Sequence, residues 1–233
     1  MHELVLVLGN KPYRSLQIGK VLDCFKNNVR CNLGIPGFNN GSITDELMVC
    51  SHISMYFIEK QPMPPETRKE YQEEYNNKHF NFCLENMCAE DYNTVKYLEP
   101  RTQIYNRFLK SVNCPYWFSK MPRTGYAALF EKLLEGRSVA VSNFSINDET
   151  RESFYVKEEV YKREDPNENV PHKCHEKKDE INIIRWLHDN NYVDATLCML
   201  KDVAIPTLES DGLHPSEFII ELLNRTYGEV VIT

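Results

Sequence analysis

The sequence predicts a single α/β domain with a mostly parallel sheet, and three observations lead to this fold class. Residues 4–8 form a continuous apolar run, which is typical of a strand covered on both faces. A helical pattern and a second strand near residues 29–32 follow, so the chain begins with a β-α-β unit. Residues 138–142 form another apolar strand after a helical pattern, so the alternation recurs in the second half.

The composition is that of a globular protein. The chain has 233 residues, 42% hydrophobic and 26% charged, which is enough apolar material to bury a sizeable core. A net charge of −7 argues against nucleic acid as a partner, while a small anion held in a local pocket remains compatible. No apolar run approaches the roughly 20 residues of a transmembrane helix, and no signal core follows a basic region. We therefore expect a cytoplasmic protein without a transmembrane segment.

Eight cysteines are present, but none of them forms a CxxC pair. In a chain of this size, which does not need disulfides for stability, they indicate mostly reduced, buried thiols.

The first half of the chain is predicted to supply three strands and one helix. The helix begins at about Ser15, and its apolar positions follow helical spacing at Ile18, Val21, Leu22 and Phe25. Residues 33–42 are rich in glycine, proline and asparagine and predict a loop, and residues 47–50 predict a third short strand.

Residues 60–99 are polar, charged and rich in tyrosine and asparagine, and we interpret them as a helical insertion outside the sheet. A helix over residues 102–112 is then expected, with Ile104, Phe108 and Leu109 on one face. A further helix is predicted to begin near Thr124, which is well placed as its N-cap. Residues 143–169 are polar and poor in aliphatic side chains, and a loop of this length is interpreted as a candidate lid.

Two turns are candidates for binding an anionic ligand. Gly9-Asn10-Lys11 follows the first buried strand, and ligands of open α/β sheets bind at such carboxyl ends. Thr124-Gly125 begins a helix, whose free amides can contact an anion. The first turn lacks the GxGxxG pattern, which disfavours an ordinary NAD-binding fold, and a plain strand-to-helix turn remains the alternative.

His175 is the candidate general base. It lies at or just before a helix whose apolar positions include Ile181 and Ile184. A partly solvated imidazole has an ordinary pKa of about 6.5, which suits proton transfer near neutral pH. Glu180 follows roughly one helical turn later, within reach of the ring. A solvated surface histidine is the alternative interpretation.

Three segments, in this order, resemble the sialyltransferases, both the animal-type family and the related small bacterial enzymes. The first joins Gly9-Asn10-Lys11 with Asn32 and is similar to the long motif that holds the cytidine nucleotide. The second is the segment that contains Thr124-Gly125 together with the following helix and strand, and it is similar to the short motif. The third is His175 followed by Glu180, which matches the very short motif of histidine, four residues and glutamate.

The resemblance implies a Rossmann-like domain of a GT-A-type variant. It also implies a metal-independent inverting transferase, without a cofactor, that takes sialic acid from CMP-sialic acid to a glycan acceptor. His175 would be the catalytic base, supported by Glu180. Lys11, Lys120 and Arg123 are the cations available for the phosphate. The donor-binding residues implied are Gly9, Asn10, Lys11, Asn32, His52, Thr124, Gly125 and Tyr155.

Three of these assignments depart from the motifs. Lys11 follows Gly9-Asn10 at a position where small residues are common. His52 stands where small bacterial members often carry asparagine. Tyr155 and Tyr161 lie in the loop where those members use two tyrosines for the phosphate, although the spacing differs. The short-motif strand ends in Asn143-Phe144-Ser145 in place of the usual glycine pattern.

Three alternatives to this function stay open. A transferase that uses another CMP-activated acidic sugar, such as Kdo, would need the same base and the same nucleotide site. A nucleotide-binding protein without catalysis is compatible with motifs that are partly degenerate. A metal site formed by His172, Cys174 and His175, completed by a thiol such as Cys198, has tighter spacing than common zinc patterns.

Overall fold

The computed structural model describes residues 4–9, 13, 15–31, 41–42, 45–50, 64–66, 69, 94–98, 100–147 and 175–233. These residues contain a six-stranded sheet in which every neighbouring pair is parallel. The order across the sheet is β4-β3-β2-β1-β5-β6. The strands are β1 (Val5–Leu8), β2 (Asn27–Cys31), β3 (Glu46–Cys50), β4 (Thr94–Leu98), β5 (Val139–Ser142) and β6 (Val193–Asp194). The α/β class with a mostly parallel sheet is therefore confirmed.

The helices of the described residues connect these strands or pack on them. They are α1 (Gly19–Leu22), α2 (Thr102–Ser111), α3 (Thr124–Leu134), α4 (Lys177–Asp189) and α5 (Glu217–Tyr227). A 3₁₀ turn covers Thr196–Met199, and β7 (Thr207–Leu208) pairs in parallel with β8 (Val231–Ile232) in a small second sheet. None of the helices in the described ranges is long and apolar enough to cross a membrane.

The core is built around β1 and α3. All four side chains of β1 are buried, so both faces of this strand are covered, as its continuous apolar run predicts. Helix α3 packs against β1, β2, β3, β4 and β5 through an apolar face that includes Leu129 and Phe130. The predicted helix and strand at residues 124–142 are therefore confirmed, and they form the centre of the domain.

Residues 94–98 are not part of an insertion outside the sheet, so the predicted helical range 60–99 is wrong over this stretch. They form β4, which pairs with β3 at the edge of the described sheet. Lys96 of β4 lies 3.0 Å from the carboxylate of Glu46 on β3 and 3.2 Å from that of Glu135. Glu46 also pairs with the buried Lys132 of α3, with 2.6 Å between Nζ and Oε2. Lys96, the charged residue of the edge strand, is therefore compensated by partners far away in sequence. Of residues 60–93, only 64–66 and 69 lie in the described part of the chain.

Helix α1 begins at Gly19, four residues later than predicted. The backbone amides of Ser15 and Leu16 donate instead to Oδ1 of Asp202, at 2.6 and 3.1 Å. The chain after β1 is thus held against the segment that follows the 3₁₀ turn. In α2 the buried residues are Tyr105 and Leu109, whereas Ile104 is exposed, so the predicted apolar face is wrong at Ile104.

The candidate lid cannot begin at residue 143. Asn143, Phe144 and Ile146 are buried, and Ile146 accepts a hydrogen bond from Arg185 of α4 through its carbonyl oxygen. Residues 143–147 therefore belong to the packed domain. The range 148–169 lies outside the described residues.

Candidate active site

The carboxyl ends of β1 and β5 meet at the point where the strand order reverses. From β1 the sheet proceeds to β2 on one side, and β5 leads to β6 on the other. The Gly9 amide donates to the carbonyl of Ser142 at 2.8 Å, so the two strand ends lie directly side by side. Open α/β sheets bind ligands in the crevice at this switch point. The structure thus places Gly9, a predicted donor-binding residue, where the fold favours a ligand.

Gly9 is required there because of a close approach between backbones. A Cβ at this position would lie 2.4 Å from the carbonyl oxygen of Asn143 and 3.1 Å from the ring of Phe144. The first of these contacts is to main chain, which cannot rotate away as a side chain can. The glycine therefore serves the tight junction between β1 and β5.

Asn143 is a residue of this junction that the sequence interpretation missed as a site residue. It is 3% exposed and has a φ of 67°, a left-handed conformation in which asparagine is enriched. Its Oδ1 accepts a hydrogen bond of 2.7 Å from the Ser142 hydroxyl. The sequence signal for such a role is an asparagine directly after a buried strand. In the comparison with the short motif, Asn143 counts only as a departure from that motif.

Phe144 connects the two predicted turns. Its ring lies against Gly9, and a Cβ built at Gly125 would lie 3.2 Å from the same ring. Tyr126 packs edge-on against Phe144 with 5.1 Å between ring centroids. The structure therefore brings Gly9 and the Thr124-Gly125 helix start to the same aromatic side chain, as their joint assignment to one site requires.

The start of α3 already carries a carboxylate. Arg123, not Thr124, is the N-cap residue, so the predicted cap is wrong by one position. Glu180 is fully buried and accepts from the Arg123 backbone amide at 2.8 Å and from Nε at 2.5 Å. A negative charge at a helix N-terminus is favourable, and it satisfies a main-chain donor there.

The guanidinium of Arg123, which the sequence offered as an available cation for phosphate, is paired with Glu180. Burial opposes the charge of Arg123, but the charge and hydrogen bond of Glu180 outweigh it and raise the pKa of Arg123. The guanidinium also lies 5.8 Å from the ring centroid of Tyr126. Lys120, another predicted cation, forms an exposed pair of 3.5 Å with Glu176.

His175 lies two residues before α4, as predicted, and is partly exposed. Its Nδ1 lies 2.6 Å from the carbonyl oxygen of Met121. A carbonyl oxygen can only accept, so Nδ1 carries the hydrogen, and in the neutral ring Nε2 holds the lone pair. Both oxygens of Glu180 are engaged by Arg123, so the contact that orients His175 comes from Met121. Glu180 and His175 thus bond to two nearby positions of one segment, Arg123 and Met121.

Several predicted residues lie outside the described part of the chain: Asn10, Lys11, Asn32, His52, Tyr155, Tyr161, His172 and Cys174. Cys198 is described and buried, and its Sγ donates to the carbonyl of Val141. Over the described ranges, no three His, Cys, Asp or Glu side chains are grouped to hold a metal ion.

The solved structures that are similar to this chain include a sialyltransferase. It is a crystal structure of a mammalian sialyltransferase in complex with Gal-β-1,3-GalNAc-ortho-nitrophenol. Its TM-score is 0.46 and its identity is 12%, over 84% of this chain and 70% of that chain. No protein-family model matches the sequence, and no curated protein matches it either. We therefore base the function on the residues of the site.

Gly9→Ala is expected to lower the free energy of unfolding by about 1–3 kcal/mol, because the new methyl group would overlap the main-chain carbonyl of Asn143. Gly125→Ala is the matched control. Its methyl group meets only the tip of the Phe144 ring and adds helix propensity, so the change should stay within about 1 kcal/mol. Urea unfolding of both variants measures the difference. Equal stabilities would contradict the close approach at Gly9.

Glu180→Gln is expected to lower the free energy of unfolding by about 2–4 kcal/mol, because it leaves the Arg123 guanidinium without a compensating charge. Asp189→Asn, at an exposed position of the same helix, should change it by less than about 0.5 kcal/mol. Chemical unfolding monitored by circular dichroism tests both variants. A Glu180→Gln protein as stable as Asp189→Asn would show that the ion pair does not hold α4 to α3.

Proposed function

We propose that this protein is a metal-independent inverting glycosyltransferase that moves sialic acid from CMP-sialic acid to a hydroxyl of a glycan acceptor. The observation that carries the proposal is the hydrogen bond between His175 Nδ1 and the Met121 carbonyl. It fixes the neutral tautomer in which Nε2 is the basic nitrogen, on a histidine whose position before α4 fits the very short motif. Such second-nitrogen bonds are the usual means of setting which nitrogen of a histidine reacts.

The reaction needs one base and a place for the leaving group. The acceptor oxygen attacks the anomeric carbon, and the bond from that carbon to the phosphate oxygen of CMP breaks on the opposite face. CMP leaves with the bonding electron pair, and Nε2 of His175 takes the hydroxyl proton. The new glycosidic bond therefore forms with inversion at the anomeric carbon. General-base assistance of this kind typically contributes about 10²–10⁴ in rate.

The switch point is the proposed place of the nucleotide. The junction of Gly9 and Asn143 supplies backbone at a strand end, and the start of α3 lies across Phe144 from it. Main-chain amides at such positions can meet phosphate charge without a metal ion. Asn10, Asn32 and Lys11 are proposed to complete the donor site on the basis of the long-motif resemblance. Another CMP-activated acidic sugar, such as Kdo, would use the same site.

His175→Ala is expected to lower sugar transfer by about 10²–10⁴, because the hydroxyl proton then has no acceptor. CMP affinity should stay nearly unchanged, since the base does not hold the nucleotide. The measurements are initial rates of transfer from CMP-sialic acid and CMP binding by calorimetry.

His172→Ala is the matched control and should retain activity, because the very short motif fits His175 and not His172. Loss of transfer in His172→Ala, together with an active His175→Ala, would contradict the assignment. A wild-type protein that binds CMP but transfers no acidic sugar would instead be a nucleotide-binding protein.

A further inference from the structure

Asp179, in the first turn of α4, holds the loop that leads into α3. Its Oδ2 accepts from the Ser119 amide at 2.8 Å and from the Ser119 hydroxyl at 2.5 Å. Hydrogen bonds to a charged acceptor are roughly twice as strong as those between neutral groups. Because one of the two donors is a backbone amide, Asp179 fixes the main chain at Ser119 as well as its side chain.

The carbonyl that orients the imidazole lies two residues beyond Ser119. The Met121 carbonyl oxygen is 2.6 Å from Nδ1 of His175. The next residue, Pro122, is buried, and a residue that precedes proline is biased towards extended conformations. The proline therefore limits the directions that the Met121 carbonyl can take, and the bonds at Ser119 limit how far this carbonyl can move away from α4.

Both ends of the contact between Met121 and His175 are tied to one helix. His175 lies two residues before α4, and Asp179 lies in the first turn of that helix. A closed path of contacts therefore runs from His175 along α4 to Asp179, across to Ser119, and back through Met121 to the imidazole. In such a closed path, a displacement at Ser119 changes the position of the carbonyl that meets Nδ1.

Asp179 can be substituted without leaving a buried charge unpaired. Glu180 also holds this segment, but its removal leaves the Arg123 guanidinium uncompensated. Asp179 is partly exposed, and its partner Ser119 is neutral and exposed. An effect of Asp179 on the imidazole can therefore be separated from a general loss of stability.

We propose that Asp179 is a positioning residue for the base: by holding Ser119, it keeps the Met121 carbonyl on Nδ1 of His175, so that Nε2 carries the lone pair. This inference rests on the proposed function, in which Nε2 takes the acceptor proton. A neutral ring without the Met121 contact populates both tautomers. In one of these, Nε2 carries the hydrogen and cannot accept a proton.

The tautomer of His175 is a readout that does not require activity. Nitrogen chemical shifts of isotope-labelled histidine distinguish a ring nitrogen that carries hydrogen from one that carries a lone pair, and the His175 signals are those absent in His175→Gln. At about pH 8, where an ordinary imidazole is neutral, we expect the wild-type ring to carry hydrogen on Nδ1. Asp179→Ala should shift these signals towards a mixture of tautomers. Asp179→Asn retains an accepting oxygen and should resemble the wild type.

Kinetics measures the same effect on the reaction. Asp179→Ala should lower kcat by about 10- to 100-fold, because the base is then misplaced, while the KM of CMP-sialic acid stays unchanged. Asp179→Asn should restore most of the rate. Ser119→Ala removes the hydroxyl bond and keeps the amide bond, so its kcat should lie between those of the wild type and Asp179→Ala. Lys178→Ala, at an exposed position of the same turn, is the matched control and should change neither constant.

A purely structural role gives a different pattern. If Asp179→Ala lowers the melting temperature but leaves the His175 tautomer and kcat of the folded protein as in the wild type, the proposal is overturned. Ser119→Ala keeps the test decisive if Asp179→Ala does not fold. A Ser119→Ala protein with the wild-type tautomer and wild-type kcat would then overturn the proposal, and a shift of both supports it.

The failure of this inference can be told apart from the failure of the proposed function. If the wild type transfers sialic acid and Asp179→Ala keeps its kcat and its tautomer, the positioning role is overturned and the transferase stands. If Asp179→Ala loses the tautomer with hydrogen on Nδ1 but the wild type transfers no sugar, the positioning of the imidazole stands and the transferase is overturned.

Discussion

Burial of the Glu180 carboxylate at the start of α3 is the constraint on which the geometry around His175 depends. A fully buried carboxylate is costly unless it is paired and hydrogen-bonded, and Arg123 supplies both through its amide and its guanidinium. This contact fixes α4 against the segment that leads into α3. Next to it, the carbonyl of Met121 meets His175, and Ser119 meets Asp179. The orientation of the imidazole is therefore a consequence of how the two helices are joined.

A second close contact determines the geometry of the site where β1 and β5 end. The junction of Gly9 with Asn143 brings the ends of β1 and β5 together, and Phe144 fills the space between that junction and Gly125. Phe144 in turn packs on Tyr126, whose ring lies near Arg123. Packing thus connects the proposed nucleotide site with the segment that orients His175. A substitution at Phe144 is expected to displace both the proposed nucleotide site and the segment that orients His175, because a close-packed interior transmits small displacements.

The parts of the fold that the sequence predicted well are those that local pattern determines. The buried strands β1 and β5 and the apolar stripe of α3 are continuous or strictly periodic, so no distant partner is needed to recognise them. β4 was missed because the partners of Lys96 are distant in sequence: Glu46 lies on another strand, and Glu135 follows α3. Helix α1 begins later than its apolar periodicity predicts, and the amides of Ser15 and Leu16 bond to Asp202, which lies 187 positions from Ser15.

Local sequence pattern likewise predicts only part of the candidate site. The position of His175 before a helix followed from periodicity, but its contact with Met121 and the pairing of Glu180 with Arg123 span more than 50 positions in sequence. Sequence reasoning therefore treated Arg123 as a cation for phosphate and Glu180 as a partner of His175.

The central claim is that the switch point binds a cytidine nucleotide, and a thermal-shift screen of the intact protein against CMP, CDP, UDP, GDP and NAD tests it most directly. A ligand that binds the native state raises the melting temperature, and the increase grows with the logarithm of the ligand concentration once this exceeds the dissociation constant. We expect CMP to give the largest increase in melting temperature. An increase with NAD or GDP and none with CMP, or no increase with any of the five, would contradict it.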